Sequence, residues 1–192
     1  MSHHNGKIDW AAVAVRDFRF AFVKATEGSD WKDPDFEANW KGADAAGLAR
    51  GAYHFFTTTS SGLDQADHFI EFVPKSLGML PPVIDVEFER RNSKMSDEVF
   101  HREFRVFFER LRAHYGVTPI VYTTGEFHRN YFAHTPIDRL WARAVVWKPT
   151  DLAKDWIFWQ YSSRGRVAGI RGRTDLNVFR FDQKRLDSLR VR

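Results

Sequence analysis

The sequence predicts an α/β fold whose mostly parallel strands curl into a short, irregular β/α barrel. Short apolar runs alternate with helical patterns from one end of the chain to the other, which is typical of strand–helix–strand units. We count at least six or seven strands, and the helices shorten towards the C-terminus. The chain has 192 residues, fewer than the roughly 250 of a typical barrel. We therefore expect one domain over residues 1–192.

An open, doubly wound parallel sheet is the alternative arrangement. Sheets of that type commonly bind nucleotides through a glycine-rich loop with the pattern GxGxxG or GxxxxGK[ST]. Neither pattern occurs in the sequence. The barrel is therefore the favoured prediction, and nucleotide binding through such loops is excluded.

The first half of the chain predicts three strands and two helices. The strands are apolar runs at residues 20–24, 51–56 and 82–87. One helix covers residues 35–46 and ends before Gly47, and a second covers residues 63–73. A loop rich in Thr, Ser and Gly precedes the second helix at residues 57–62.

The second half continues the alternation with one long helix and shorter strands. Ser96 is expected to cap a helix that runs to Tyr115. A polar loop at residues 89–94 precedes it. Further strands are predicted at residues 119–123, 140–146, 156–161 and 176–179. A terminal helix is predicted over residues 182–189.

The composition excludes several classes of protein and leaves one strongly charged region. No cysteine is present, so disulfides, thiolate nucleophiles and cysteine-bound metals are excluded. No apolar run reaches the ~18 residues of a membrane span, and charged residues interrupt the first 20, so we expect no signal peptide. Residues 164–192 carry nine Lys or Arg against three Asp, whereas the whole chain has a net charge of +4. Such a region is either a solvated surface or a binding surface for nucleic acid, a membrane or an anionic polymer.

The strongest candidate site is the segment Pro-Pro-Val-Ile-Asp-Val-Glu (81–87). Side chains alternate along a strand, so Asp85 and Glu87 face one side while their apolar neighbours face the other. Barrels hold their active sites at this C-terminal end of the strands. Apolar surroundings and a second carboxylate favour one protonated acid beside one anion, as cleavage of a glycosidic bond requires. The alternative is an acidic strand end that pairs with Arg90 and Arg91.

Other catalytic chemistries have less support in the sequence. Carboxylates bind hard cations, but His3 and His4 are the only neighbouring histidines, and neither HxH nor HxxxH occurs. The GxSxG elbow of many serine hydrolases is absent. We therefore expect neither a metal ion nor any other cofactor.

Four further residues are candidates for the same rim of the barrel. Glu27 follows the first strand, where the alternative is a solvated loop acid. Tyr53 and Tyr122 occupy comparable strand positions, and the alternative for each is a half-buried core tyrosine. Asp175 is either a turn-capping residue or a third acid that faces the same cavity.

Taken together, these segments resemble family 25 of the glycoside hydrolases, the lysozymes of the Chalaropsis type. Eight stretches match in order and spacing across essentially the whole chain. They are Ser-His-His-Asn-Gly-Lys-Ile-Asp-Trp (2–10), Phe-Ala-Phe-Val-Lys-Ala-Thr-Glu-Gly (20–28), Asp-Pro-Asp-Phe (33–36), Gly-Ala-Tyr-His-Phe-Phe (51–56), Gln-Ala-Asp-His-Phe (65–69), Pro-Pro-Val-Ile-Asp-Val-Glu (81–87), Trp-Gln-Tyr-Ser-Ser (159–163) and Thr-Asp-Leu-Asn-Val-Phe (174–179). No single stretch is decisive, but eight in order are specific.

The resemblance implies an irregular β/α barrel that hydrolyses the β-1,4 bond between N-acetylmuramic acid and N-acetylglucosamine in peptidoglycan. By position, Glu87 is similar to the general acid. Asp85 is similar to its partner, which steers the 2-acetamido group of the substrate in a retaining, substrate-assisted reaction. Asp175 is similar to a further acid of the groove. The residues implied in substrate binding are Glu27, Tyr53, Tyr122, Trp141 and Gln160.

The resemblance also implies a partner and a location. We expect a monomer that acts on peptidoglycan glycan strands, outside the cell or at the cell wall, without nucleic acid or a membrane as partner. The basic C-terminal region would then be attracted to an anionic wall. Two alternatives are a catalytically impaired, peptidoglycan-binding barrel and, more remotely, a nucleic-acid-binding protein.

Two departures from the family pattern are visible in the sequence. Family members begin with a short strand, Gly-Ile/Phe-Asp-Val, before the serine that matches Ser2, whereas Met1 stands there in this chain. We therefore expect a barrel that lacks the usual first strand and its aspartate, with unpaired backbone groups along an open seam. Asp17 also occupies a position that is usually Gly, which is a minor change in a loop.

Overall fold

The computed structural model describes residues 1–88, 96–145, 148–149 and 156–192. Within these ranges the strands are β1 (Phe20–Glu27), β2 (Trp31–Lys32), β3 (Ala49–Phe55), β4 (Val83–Val86), β5 (Ile120–Thr124), β6 (Leu140–Arg143), β7 (Trp156–Gly165) and β8 (Thr174–Phe179). The α-helices are α1 (Trp10–Ala14), α2 (Phe36–Ala45), α3 (Gly62–Phe72), α4 (Asp97–Tyr115), α5 (Gly125–Phe127) and α6 (Gln183–Ser188). A 3₁₀ turn at His3–Asn5 and a π turn at His128–Phe132 complete the helical elements described. None of these helices combines the length and the apolarity that crossing a bilayer requires.

The strands form one curled sheet in the order β2-β1-β3-β4-β5-β6-β7-β8. The six strands from β1 to β7 in this order are parallel, whereas β2 and β8 run antiparallel at the two ends. The sheet is a half-barrel, since no ladder joins β1 to β8 in the described ranges. Met1 lies beside β1, where its α-amino group donates to Phe22 O and its carbonyl accepts from Lys24 N, both at 2.8 Å. The α/β fold with a short, irregular barrel is confirmed.

The alternation of side chains along the strands separates two apolar cores. The larger core lies between the sheet and α2, α3 and α4, and it contains Ile84, Val86 and Phe107. The second core fills the inside of the curl, and it contains Val83 and Leu186 of α6. Because Val83 faces the inside while its neighbour in β4 faces the helices, Asp85 must face the inside as well.

Most elements lie where the sequence predicts them, with ends that differ by a few residues. Ser96 caps α4 as expected, since its Oγ accepts a hydrogen bond from Val99 N at 3.4 Å. The sequence does not predict α1, β2 or the helical stretch 125–132, because such short elements show little periodicity. The polar loop predicted at residues 89–94 lies outside the described residues, as does Val146 at the end of the strand predicted over 140–146.

Candidate active site

A cavity of about 640 Å³ runs along the inside of the curled sheet and continues past β8 towards α1 and the segment before β1. Its size is within the range of ordinary ligand sites. Seven of the eight residues that the sequence singles out line it, and they come from six neighbouring strands or their ends. They are Tyr53, Asp85, Glu87, Tyr122, Trp141, Gln160 and Asp175. The curl of the sheet therefore brings together side chains that are up to 122 positions apart in the sequence.

Asp85 and Glu87 form the acidic part of the cavity wall. Asp85 lies in β4, opposite Phe55 on β3 and Tyr122 on β5, and it is only 9% exposed. Glu87 directly follows β4 and is half-buried. Both side chains line the same cavity, as the two-residue period of a strand predicts. Two carboxylates thus face one enclosed space.

The phenols of Tyr53 and Tyr122 lie within the electrostatic field of these carboxylates. Burial raises the pKa of each phenol well above its ordinary value, and the negative charge of Asp85 raises it further. The charge of Glu87 acts in the same direction on both. Each phenol therefore stays protonated at neutral pH and can donate a hydrogen bond. The Tyr122 hydroxyl donates to Oε1 of the buried Gln160 at 2.9 Å.

Asp175 faces the same cavity from β8, near the other edge of the sheet. Its position within β8 favours the cavity interpretation over the turn-capping one. Partial loss of solvent raises the pKa of the Asp175 carboxyl, while the Met1 α-amino group and Arg143 act to lower it. Asn177 lies two residues further along β8 and also lines the cavity. Sequence reasoning missed Asn177, although the period of the strand places it on the same face as Asp175.

Aromatic rings form much of the remaining wall. Trp141 meets Tyr122 edge to face at a centroid distance of 5.0 Å and lies 4.6 Å from the ring of Phe22. Its indole Nε1 donates to Asn177 Oδ1 at 2.9 Å, which fixes the orientation of the ring. Flat apolar surfaces beside hydrogen-bonding groups suit the faces and hydroxyls of sugar rings.

Glu27 is the one predicted site residue outside the described lining of this cavity. It ends β1, where the pairing with β3 shifts register between Lys24 and Thr26. Ala25 belongs to the helix-side core, and the Thr26 hydroxyl also faces that side, 2.7 Å from His54 Nδ1. Two consecutive residues on one face define a β-bulge, which returns Glu27 to the face of Lys24.

The bulge produces a nearly buried ion pair at the rim of the barrel. Lys24 Nζ lies 2.8 Å from Glu27 Oε2, and the two side chains are 11% and 15% exposed. The same ammonium lies 4.8 Å from the ring centroid of Trp31 and 5.3 Å from that of Phe55, within cation–π range. Glu27 is thus held in a fixed position, and its role in substrate binding stays a prediction.

The N-terminal segment is attached to this rim by the buried Asp33. Its Oδ2 accepts from His3 N at 3.1 Å and lies 2.8 Å from His3 Nδ1, while its Oδ1 accepts from Asp35 N at 3.0 Å. The rings of His3 and His4 pack against each other at a centroid distance of 3.9 Å. Across the described ranges, no group of three or more His, Asp or Glu is arranged to hold a metal ion.

Comparison with known proteins places these features in a family. The model of the family described as glycosyl hydrolases family 25 matches residues 1–170 of the chain. A family 25 glycosyl hydrolase from Bacillus anthracis superposes with a TM-score of 0.91 and 38% identity, over 98% of this chain and 90% of that chain. The lysozyme from Streptomyces coelicolor superposes with a TM-score of 0.89 and 33% identity, over 98% and 94% of the respective chains. Lysozyme M1 of Streptomyces globisporus is 32% identical over 210 residues, covering 98% of this chain and 69% of that protein.

Proposed function

The chain belongs to the glycosyl hydrolases family 25, and we propose that it is a muramidase that cleaves the β-1,4 bond between N-acetylmuramic acid and N-acetylglucosamine in peptidoglycan. The observation that carries this proposal is the pair Asp85 and Glu87 on one wall of an aromatic-lined cavity. The similarity to Lysozyme M1 supports peptidoglycan as the substrate. Since that polymer forms the cell wall, we place the site of action outside the cell or at the wall.

Glu87 acts as the general acid in this proposal. It follows β4 at the C-terminal end of the parallel strands and is half-buried in the cavity wall. Its carboxyl donates a proton to the glycosidic oxygen as the bond from that oxygen to the anomeric carbon breaks. The released sugar then carries a neutral hydroxyl, which leaves far more readily than an alkoxide.

Asp85 orients the nucleophile, which belongs to the substrate. The oxygen of the 2-acetamido group attacks the anomeric carbon. Asp85 accepts a hydrogen bond from the N–H of that group and stabilises the positive charge that develops on it. Water then attacks the same carbon and gives up a proton to the Glu87 carboxylate. This attack breaks the bond from the anomeric carbon to the acetamido oxygen and so opens the ring formed in the first step. Two inversions at one carbon retain its configuration.

The remaining cavity residues bind and orient the sugars. The phenol of Tyr53 donates a hydrogen bond to the sugars, whereas the Tyr122 hydroxyl donates to Gln160 and offers its oxygen to the sugars as an acceptor. Trp141 supplies an apolar face for a sugar ring. We also propose that the monomer is the active unit.

Product analysis tests the proposed bond. Purified peptidoglycan is digested, the new reducing ends are reduced with borohydride, and the reduced sugar is identified. We expect reduced N-acetylmuramic acid at each new end. Reduced N-acetylglucosamine would assign cleavage to the other glycosidic bond, and tight binding without new reducing ends would favour the catalytically impaired barrel.

A further inference from the structure

Four arginines surround the connection between β7 and β8. We call them the arginine cluster: Arg164 at the end of β7, and Arg166, Arg171 and Arg173 in the β7–β8 turn (residues 166–173). All four are solvent-exposed. Within the described residues, none of them forms an ion pair with an acid, whereas arginines elsewhere, such as Arg110 with Asp67, do. The cluster is therefore a local excess of positive charge.

The turn that carries the cluster is fixed to the body of the protein. Ile170 is buried among residues of α1, α2 and β1, and Val167 packs beside it. Gly169 O accepts from Asp9 N at 2.8 Å. Gly169 has a φ of +90°, and a Cβ there would lie 2.3 Å from Asp9 O, so only glycine permits this approach. The apolar residues hold the turn down, and the arginines remain in solvent on a rigid support.

The strands that the turn joins also form one wall of the catalytic cavity. Gln160 and Tyr161 of β7 line it, as do Asp175 and Asn177 of β8. Arg173 lies two residues before Asp175. Val167 and Ile170 of the turn line the same cavity, so the turn that carries the cluster borders the space in which a polymer would be seated.

We propose that the arginine cluster binds the carboxylates of the peptides that hang from the glycan strand. This inference rests on the proposed function, because it takes peptidoglycan as the polymer in the cavity. The glycan backbone presents neutral hydroxyls and acetamides, whereas its stem peptides carry free carboxylates close to each muramic acid. Guanidinium groups bind carboxylates through paired hydrogen bonds, and a rigid support reduces the entropy lost on binding. The turn thus selects peptide-bearing strands over bare glycan.

Binding to insoluble peptidoglycan tests the proposal without requiring catalysis. Co-sedimentation on ice compares untreated peptidoglycan with material whose carboxylates have been converted to neutral amides. We expect the apparent Kd of the wild type to rise about fivefold to tenfold on the blocked material, since each exposed pair contributes little but four act together. The variant in which Arg164, Arg166, Arg171 and Arg173 are replaced by Gln should bind untreated peptidoglycan more weakly by the same factor. Its binding should no longer depend on whether the carboxylates of the peptidoglycan are blocked.

A matched control removes the same charge from another surface. The exposed arginines of α4, on the helix side of the sheet, are Arg102, Arg105, Arg110 and Arg112. Replacing these four by Gln lowers the net charge equally and should leave binding as in the wild type. Equal weakening in both fourfold variants would overturn the proposal in favour of attraction by net charge. The proposal would also be overturned if the cluster variant bound untreated peptidoglycan as tightly as the wild type does. The same holds if the wild type bound amide-blocked and untreated peptidoglycan equally well.

Two further outcomes separate carboxylates from other anions of the wall, and the binding surface from the muramidase function. If binding depends on phosphate polymers attached to the wall, removal of those polymers will weaken it while carboxylate blocking will not, and the proposal is then wrong. If the wild type shows carboxylate-dependent binding through the cluster but releases no reducing ends, the proposed muramidase function fails while the binding surface stands.

Discussion

Trp141 illustrates how a single side chain shapes the cavity. It lies on β6, its ring contacts Phe22 and Tyr122, and its indole N–H is held by Asn177. Trp159 on β7 is a natural comparison, because it packs outside the curl and its Nε1 donates to Ala144 O at 2.9 Å. Both indole N–H groups are hydrogen-bonded, but Trp141 is buried on the inside of the curl, whereas Trp159 is only partly buried on the other face of the sheet.

We expect Trp141→Phe to raise the KM for peptidoglycan about twofold to tenfold with a smaller change in kcat. The substitution removes the hydrogen bond to Asn177 and reduces the apolar face, and such aromatic contacts contribute ~0.5–1.5 kcal/mol. Steady-state kinetics on soluble peptidoglycan fragments measure the effect, with Trp159→Phe as the control. An equal rise in KM for both variants would show that Trp141 acts on stability rather than on substrate binding.

Sequence alternation identifies Asp85 and Glu87 because β4 is regular from Val83 to Val86. The same reasoning misses the Lys24–Glu27 pair. Residues three apart in a regular strand face opposite sides, and only the bulge in β1 brings these two together. Bulges depend on contacts with neighbouring strands, so the sequence of β1 alone does not reveal this one.

His54 links three elements behind the active site. Its Nδ1 accepts from the Thr26 hydroxyl of β1, and its Nε2 donates to Gln65 Oε1 of α3 at 3.1 Å. Gln65 also holds the loop after β3, since it accepts from Thr57 N at 2.9 Å and donates to Ser60 O at 3.0 Å. The neutral imidazole satisfies both partners, and burial lowers the pKa of His54 to about 3.

Because His54 is buried in its neutral form, we expect the free energy of unfolding to fall in acid. The unfolded chain takes up a proton near pH 6.5, whereas folded His54 does so only near pH 3, so its stabilising contribution is complete above pH 6.5 and is lost as the pH falls. Between pH 7 and 4.5 the loss is roughly 2–3 kcal/mol.

The pH dependence of the melting temperature checks the role of His54. We expect His54→Gln to melt lower than the wild type at pH 7 but to lose much less on transfer to pH 4.5. The exposed His134→Gln should keep the wild-type difference between the two pH values. If His54→Gln and the wild type lose the same amount, another group controls the acid sensitivity.

The complete fold follows from the strand–helix alternation to a large extent. The number and order of the main strands, and the placement of seven candidate residues around one cavity, agree with the pattern of apolar runs. Two features depend on tertiary contacts that periodicity does not report. They are the antiparallel return of β8 along β7 and the docking of the β7–β8 turn on α1. The sequence shows the arginines of that turn only as part of a longer basic region.

The rate of new reducing-end formation from peptidoglycan by Glu87→Gln decides whether this cavity is the catalytic centre. Glutamine keeps the shape of the side chain but donates no proton to the leaving oxygen, and loss of general acid catalysis costs ~10²–10⁴ in rate. We expect such a fall in kcat with an unchanged melting temperature, a similar fall in Asp85→Asn, and wild-type activity in Glu71→Gln, which alters an exposed residue of α3. Turnover at the wild-type rate by Glu87→Gln would contradict the assignment of the general acid and of the cavity as the site of hydrolysis.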